Sequence, residues 1–272
     1  LGISTVIIQF NSEVSKIIIS ANLGVTALAF YSVGSQKLPF IPIIRNSVSN
    51  VVFPDVVEKM GSSTMEALDL WKRSVTLYIF FMAPIFVVFF YYAELVVVTL
   101  YTKEYIDATP IFQIYLILII YHCFDMGIPI RGMNKNKLLL MGHIASLFVN
   151  IGLLYVLFNL LGMIGPPIAY VTTEILLTIF FGAKVLSIYK IKFKEIFYWD
   201  EIFKLLAISI VPIVILFGGN YLPINDIVRA IVFSSVYLAA YYYLVRKLNI
   251  EYLNTFITRI QTNLLSKLKV KF

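Results

Sequence analysis

"KLPFIPIIRNSVSNVVFP", residues 37–54, is one apolar run with an arginine at its middle. Read as a helix rising about 1.5 Å per residue, it puts Arg45 roughly 12 Å from Lys37, near the midplane of a bilayer about 30 Å thick. An arginine at that depth costs at least about 2.5–3.5 kcal/mol, so a reason for it must be sought in the rest of the chain. Asn46, Ser49 and Asn50 share an arc of roughly 140° with Arg45, and the opposite face is Ile, Val and Phe.

Working outward, apolar runs of spanning length recur from end to end. Of the 272 residues 60% are hydrophobic and 14% charged, well under the roughly 25% charge of a soluble domain. No repeated ten-residue alternation of a membrane barrel is present. The expected fold class is all-α, a polytopic helical bundle. Eight segments are expected, over residues 1–24, 37–55, 74–100, 108–128, 138–160, 163–187, 202–222 and 226–245. Turn or charge signals such as "GSQKLP", "YTKEYIDATP", "RGMNKNK" and "GMIGPP" separate them. The polar, helix-prone "GSSTMEALDLWKR" is expected to form a short interfacial helix.

Eight spans make the loops alternate between two sides. Sixteen basic residues fall on one side and two, Lys37 and Lys103, on the other. The positive-inside rule puts the basic side, with the C-terminus, in the cytoplasm of a multi-pass cell-membrane protein. The net charge of +7 therefore belongs to loops and does not point to nucleic acid. The tail "TRIQTNLLSKLKVKF" is basic and amphipathic and suits the surface of anionic membrane lipid. Cys123 is the single cysteine, so no intrachain disulfide can form, and "HCFD" at 122–125 stands without metal-ligand spacing or a catalytic companion. Neither a cofactor nor a metal is expected, and no enzyme motif is found. The chain opens within a hydrophobic segment, which reads as the C-terminal part of a longer protein.

Two further polar stripes run along expected spans. Gln9, Glu13, Lys16 and Ser20 follow spacings of four, three and four, with Glu13 and Lys16 within pairing reach. Tyr170, Glu174 and Thr178 are spaced by four, and Asn150 lies on the fifth span. Such residues serve either as contacts between helices or as the lining of a substrate or ion path. Arg45, Asn46, Ser49, Asn50 and Lys16 are the candidate substrate-binding residues. Glu13 and Glu174 are the candidates for a coupling or a structural ion pair. Pro39, Pro42, Pro84, Pro110, Pro129 and Pro212 each remove a backbone donor and permit a bend.

In their order these features resemble the C-terminal half of polysaccharide flippases of the multidrug/oligosaccharidyl-lipid/polysaccharide exporter superfamily. "SKIIISANLGVTALAFYSVGSQKLPF" looks like that family's seventh span and the loop after it, with a turn at Tyr31 to Gly34. "VVFPDVVEKM" is similar to its exit from the eighth span, and "ALDLWKRSVTLYIFFMAPI" to its entry into the ninth. "LYTKEYIDATPIFQIYLI" resembles its outer loop, "IRGMNKNKL" its cytoplasmic loop after the tenth, and "VNIGLLYVLFNLLGMIGPPIAYVTTE" its last two lobe helices. Thr102, where many relatives have Gly, and Pro166 and Pro167, where small residues are usual, depart from the pattern in outer turns.

The resemblance implies a six-helix lobe over 1–189, two additional spans over 190–247 and a basic cytoplasmic tail over 248–272. It implies an N-terminal lobe as partner, a lipid-linked oligosaccharide of polyprenyl-pyrophosphate type as cargo, and H+ or Na+ as the coupling ion. A lipid II flippase or a cation-coupled multidrug exporter of the same superfamily is the alternative, and a non-transporting membrane scaffold is the second.

Overall fold

A computed structural model describes residues 2–36, 38–39, 41, 43, 54, 56, 58–59, 63–219 and 222–258. Arg45, Asn46, Ser49 and Asn50, with most of the expected second span, lie outside the described residues, as does most of the basic tail. Every described element is helical. The α-helices are α1 (Gly2–Gly34), α2 (Thr64–Tyr91), α3 (Ala93–Leu100), α4 (Thr109–Tyr121), α5 (Gly127–Gly132), α6 (Asn136–Leu161), α7 (Gly165–Tyr189), α8 (Trp199–Ile210), α9 (Ile213–Gly218) and α10 (Asp226–Lys247). A further helical stretch covers 251–258.

Six helical stretches among the described residues are long and apolar enough to cross a membrane, where eight were expected. The difference has two sources. The stretch 136–189 is 54 residues long and doubles back at Gly162–Ile164, so α6 and α7 are two antiparallel passes. Gly162, at φ 58°, makes that reversal in a region where a side chain would be strained. The expected span 37–55 is the other source.

The expected boundaries need four corrections. First, α1 does not stop at residue 24. It continues to Gly34 across a kink at Gly24 (φ 81°), so the expected turn at Tyr31–Gly34 is the end of a helix. Second, "STMEALDLWKR" is not a separate interfacial helix but the first turns of α2, whose N-terminus is capped by the Ser63 hydroxyl accepting from the Glu66 N–H. Third, the expected fourth span is interrupted: α4 ends at Tyr121 and α5 starts at Gly127. The 13 residues of α4 reach spanning length only together with the 3-10 turn Lys103–Ala108 that runs into it, as the 19-residue stretch Lys103–Tyr121. Fourth, the seventh span breaks at Val211–Pro212 into α8 and α9, because Pro212 cannot donate to the helical ladder.

The tightest pair is α6 with α7, where Gly142 meets Phe181 so closely that a Cβ would sit 2.4 Å from the ring. The first helix packs on α6, α4 and α7, and α2 packs on α4 and α8. In turn α10 covers α8, α9 and α2. The main core centres on Trp71, Ile79, Ile128, Ile130 and Val185. Large apolar side chains such as Phe148, Tyr155, Leu160 and Val214 are exposed, which suits a surface bathed in lipid and not in water. Near the start of α2, the Tyr198 hydroxyl donates to Asp69. Burial first, and then that carboxylate, push the phenol up to about 12.

Candidate functional site

Two faces of α1 carry polar groups, and they do different things. The predicted stripe is exposed or half-buried. Within it Lys16 Nζ lies 2.9 Å from Glu13 Oε2, with Lys16 35% and Glu13 54% exposed. On the other face Asn11 and Ser15 are buried. Asn150 Nδ2 donates to Asn11 Oδ1 at 2.8 Å, so Asn150 is an interhelical contact, and its partner is a residue that pattern reading passed over. Asn11 could have been found as the polar residue closest in depth to Asn150, but only by knowing that α1 touches α6.

Glu174, on α7, is held by a tyrosine of another helix. The Tyr121 hydroxyl, at the end of α4, donates to Glu174 Oε2 at 2.9 Å. One turn earlier on the same helix as Glu174, the ring of Tyr170 lies 5.9 Å from that of Tyr115, whose hydroxyl bonds that of Tyr31. Glu174 and Thr178 line a cavity of about 180 Å3. His122, Asp125, Arg131 and His143 line it too. The structure thus brings Glu174 to a cavity that carries polar groups.

The cavity exists because the fourth span is interrupted. Pro129 has no N–H to offer the carbonyl four residues back, that of Asp125. Trp71 Nε1 from α2 donates to that carbonyl instead, at 3.0 Å. Asp125 Oδ1 accepts from the Gly127 N–H at 2.8 Å, a local bond that competes with helix continuation. The Tyr189 hydroxyl donates to the Pro129 carbonyl at 2.9 Å. Irregular backbone within a membrane is tolerated only where protein or a wet cavity satisfies it, and Trp71 and Tyr189 satisfy it here. Asp125 Oδ2 also lies 3.7 Å from Arg131 Nη2, placing the guanidinium beside the break. "HCFD" therefore marks a broken span; the Asp-Met-Gly-Ile-Pro run was the signal for it, a turn-forming carboxylate followed by Gly and Pro.

A second cavity of about 280 Å3 adjoins the first, sharing Ile8, Arg131, Leu139 and His143 with it. Its other polar lining is Ser4, Thr5, Asn136 and Lys137. The two cavities adjoin as one cleft, its polar groups set among apolar ones, between the start of α1 and the helices α4 to α7. It can hold ions and hydroxyl-rich groups, and no nucleophile with an adjacent base is found among the described residues that line it.

Comparison with known proteins points the same way. Residues 1–110 match a family described as "Polysaccharide biosynthesis protein". The chain is 26% identical over 199 residues to the "Putative O-antigen transporter" of Shigella flexneri, covering 69% of this chain and 45% of that protein. Its fold is similar to that of the lipid II flippase MurJ in an inward closed conformation, with a TM-score of 0.70 at 14% identity over 90% of this chain and 52% of that one. The chain spans about half the length of both relatives. The described helices thus share the fold of a lipid flippase, and the sequence is similar to a polysaccharide biosynthesis family over its first 110 residues and to an O-antigen transporter over 199.

Proposed function

We propose that this chain is the C-terminal lobe and additional helix pair of a flippase. Its cargo is a lipid-linked oligosaccharide of polyprenyl-pyrophosphate type, moved across the cytoplasmic membrane for surface polysaccharide synthesis. The carrying observation is a cleft of ionisable and hydroxyl side chains, Glu174 among them, inside a bundle whose outer surface is apolar. A sugar chain with an anionic head needs such a wet path, because an unpaired charge in hydrocarbon is prohibitive. Translocation makes and breaks no covalent bond, so the protein acts as a transporter and not as an enzyme. An N-terminal lobe supplies the facing wall, and the C-terminus is cytoplasmic. Glu174 and Glu13 are the groups that carry H+ or Na+ coupling, while Lys16 and the arc of Arg45, Asn46, Ser49 and Asn50 meet the cargo.

Arg45→Ala tests the cargo assignment. Surface polysaccharide is expected to fall sharply at unchanged protein level, and Arg45→Lys to keep part of the activity, since charge survives without the bidentate fork. Normal surface polysaccharide in Arg45→Ala removes Arg45 from the cargo path. Loss of the protein itself, rescued by neutralising a carboxylate, makes the arginine a structural partner. Vesicles loaded with lipid II in place of the oligosaccharide carrier separate this reading from a lipid II flippase. For orientation, impermeant thiol labels at Lys192→Cys should fail in whole cells and at Lys103→Cys should succeed.

A further inference from the structure

We propose that the outer part of the cleft, between the start of α1 and the first turns of α6, is a binding site for a phosphate-bearing headgroup. Its cations are Arg131 and Lys137. The proposal rests on the flippase reading for the identity of the ligand, and on the cavity itself for its chemistry.

The charge inventory is one-sided. Arg131 and Lys137 line the cavity, and no carboxylate among the described residues does. Ser4, Thr5 and Asn136 add neutral donors. Asp125 lies in the adjoining cavity, where it holds the Arg131 side chain against the break. A guanidinium offers a planar fork to phosphate oxygens, and a lysine adds a point charge; together they suit a multiply charged anion better than a sugar.

Size narrows the ligand. The cavity is about 280 Å3. That is just under the range of about 300–1,000 Å3 typical for drug-sized ligands. A phosphate or pyrophosphate head fits within it. The lining also fits a head that carries a tail: Ile8, Leu139 and Leu140 are part of it, so a charged head can sit in the cleft with an isoprenoid chain against those apolar side chains.

The rival explanation is that Arg131 and Lys137 only orient the loop by the positive-inside rule. Under that rule any two basic residues on that side are equivalent, whereas a site needs these two. Arg131→Gln combined with Lys137→Gln is therefore compared with Lys135→Gln combined with Lys190→Gln, which removes the same charge from residues that do not line the cavity.

The full-length protein is placed in phosphatidylcholine nanodiscs. Equilibrium dialysis measures radiolabelled inorganic pyrophosphate, and native mass spectrometry counts polyprenyl pyrophosphate retained from discs that contain it. Protection of the buried Cys123 thiol from labelling confirms equal folding. The Arg131/Lys137 pair variant should bind at least about tenfold more weakly, with the Lys135/Lys190 pair unchanged and Arg131→Lys with Lys137→Arg largely restoring binding. Loss for both probes assigns the site to phosphate as such; loss for the lipid probe alone assigns it to a membrane-borne head. Equal binding by wild type and the Arg131/Lys137 variant, or equal loss in both pair variants, overturns the site. If the wild-type protein binds neither probe, the site is also overturned. The flippase reading then still stands when surface polysaccharide depends on the protein, and fails with the site when it does not.

Discussion

Pro84 in α2 and Pro129 in α5 present the same defect with opposite outcomes. Each leaves the carbonyl four residues earlier without its helical donor. Each carbonyl is taken by an aromatic side chain from another helix: the Tyr241 hydroxyl donates to Phe80 O at 2.9 Å, and Trp71 Nε1 donates to Asp125 O at 3.0 Å. Yet α2 runs through Pro84 without interruption, while the fourth span is broken over residues 122–126. The neighbours decide it. Around Pro84 the sequence is "FFMAPIFV", and no side chain there competes for backbone donors. Before Pro129 stands Asp125, whose carboxylate accepts the Gly127 N–H and so offers the backbone a turn in place of a helix. A proline in a membrane helix thus permits a break, and a short polar side chain beside it converts permission into a break and a cavity.

The comparison is most exposed to attack at Trp71. Trp71→Phe removes the donor to Asp125 O and weakens packing against Phe197, whose ring lies 5.2 Å away. The expected loss is about 2 kcal/mol, with Cys123 becoming reactive to a thiol label as the break loosens. If Cys123 stays protected and stability holds, the Asp125 turn bond alone maintains the break.

Asp125→Ala comes next, with about 1 kcal/mol lost from the missing turn bond to the Gly127 N–H. Calorimetry in nanodiscs, read beside the labelling rate of Cys123, measures it. A wild-type labelling rate would mean that Pro129 needs no help to interrupt the span.

Tyr241→Phe should cost about 0.6 kcal/mol, with an upper end near 1.7, as for interhelical hydrogen bonds in other membrane bundles. In a Pro84→Ala background the same substitution should cost almost nothing, because an alanine N–H at that position would restore the helical donor to Phe80 O. A cycle that proves additive would show that Tyr241 does not repair the proline defect.

The smallest effect belongs to the Glu13–Lys16 pair, which is too exposed to matter for stability. Glu13→Gln is expected to change unfolding by less than about 0.5 kcal/mol. A larger shift would make the pair structural; a drop in surface polysaccharide with no shift would assign it to transport.

Hydropathy and loop charge were legible without coordinates because each is a local sum over about twenty residues. They yielded a helical membrane bundle and the stripes of α1 and α7. They could not tell which face of α1 was buried. Gln9, Glu13, Lys16 and Ser20 made the more regular pattern, but the buried groups are Asn11 and Ser15, because the α6 surface that covers them is remote in sequence.

The sequence by itself determined that this chain spans a membrane as helices, where the spans at 138–160, 163–187 and 226–245 run to within a few residues, and which prolines deprive a carbonyl of its donor. All of these follow from side-chain hydropathy and backbone chemistry within one or two turns. Only the tertiary structure decided which span breaks open, what satisfies its freed carbonyls, and that Glu174 and Arg131 share one cleft. Those outcomes depend on partners 54 residues apart for Trp71 and Asp125 and 161 apart for Tyr241 and Phe80, distances over which no local pattern carries information.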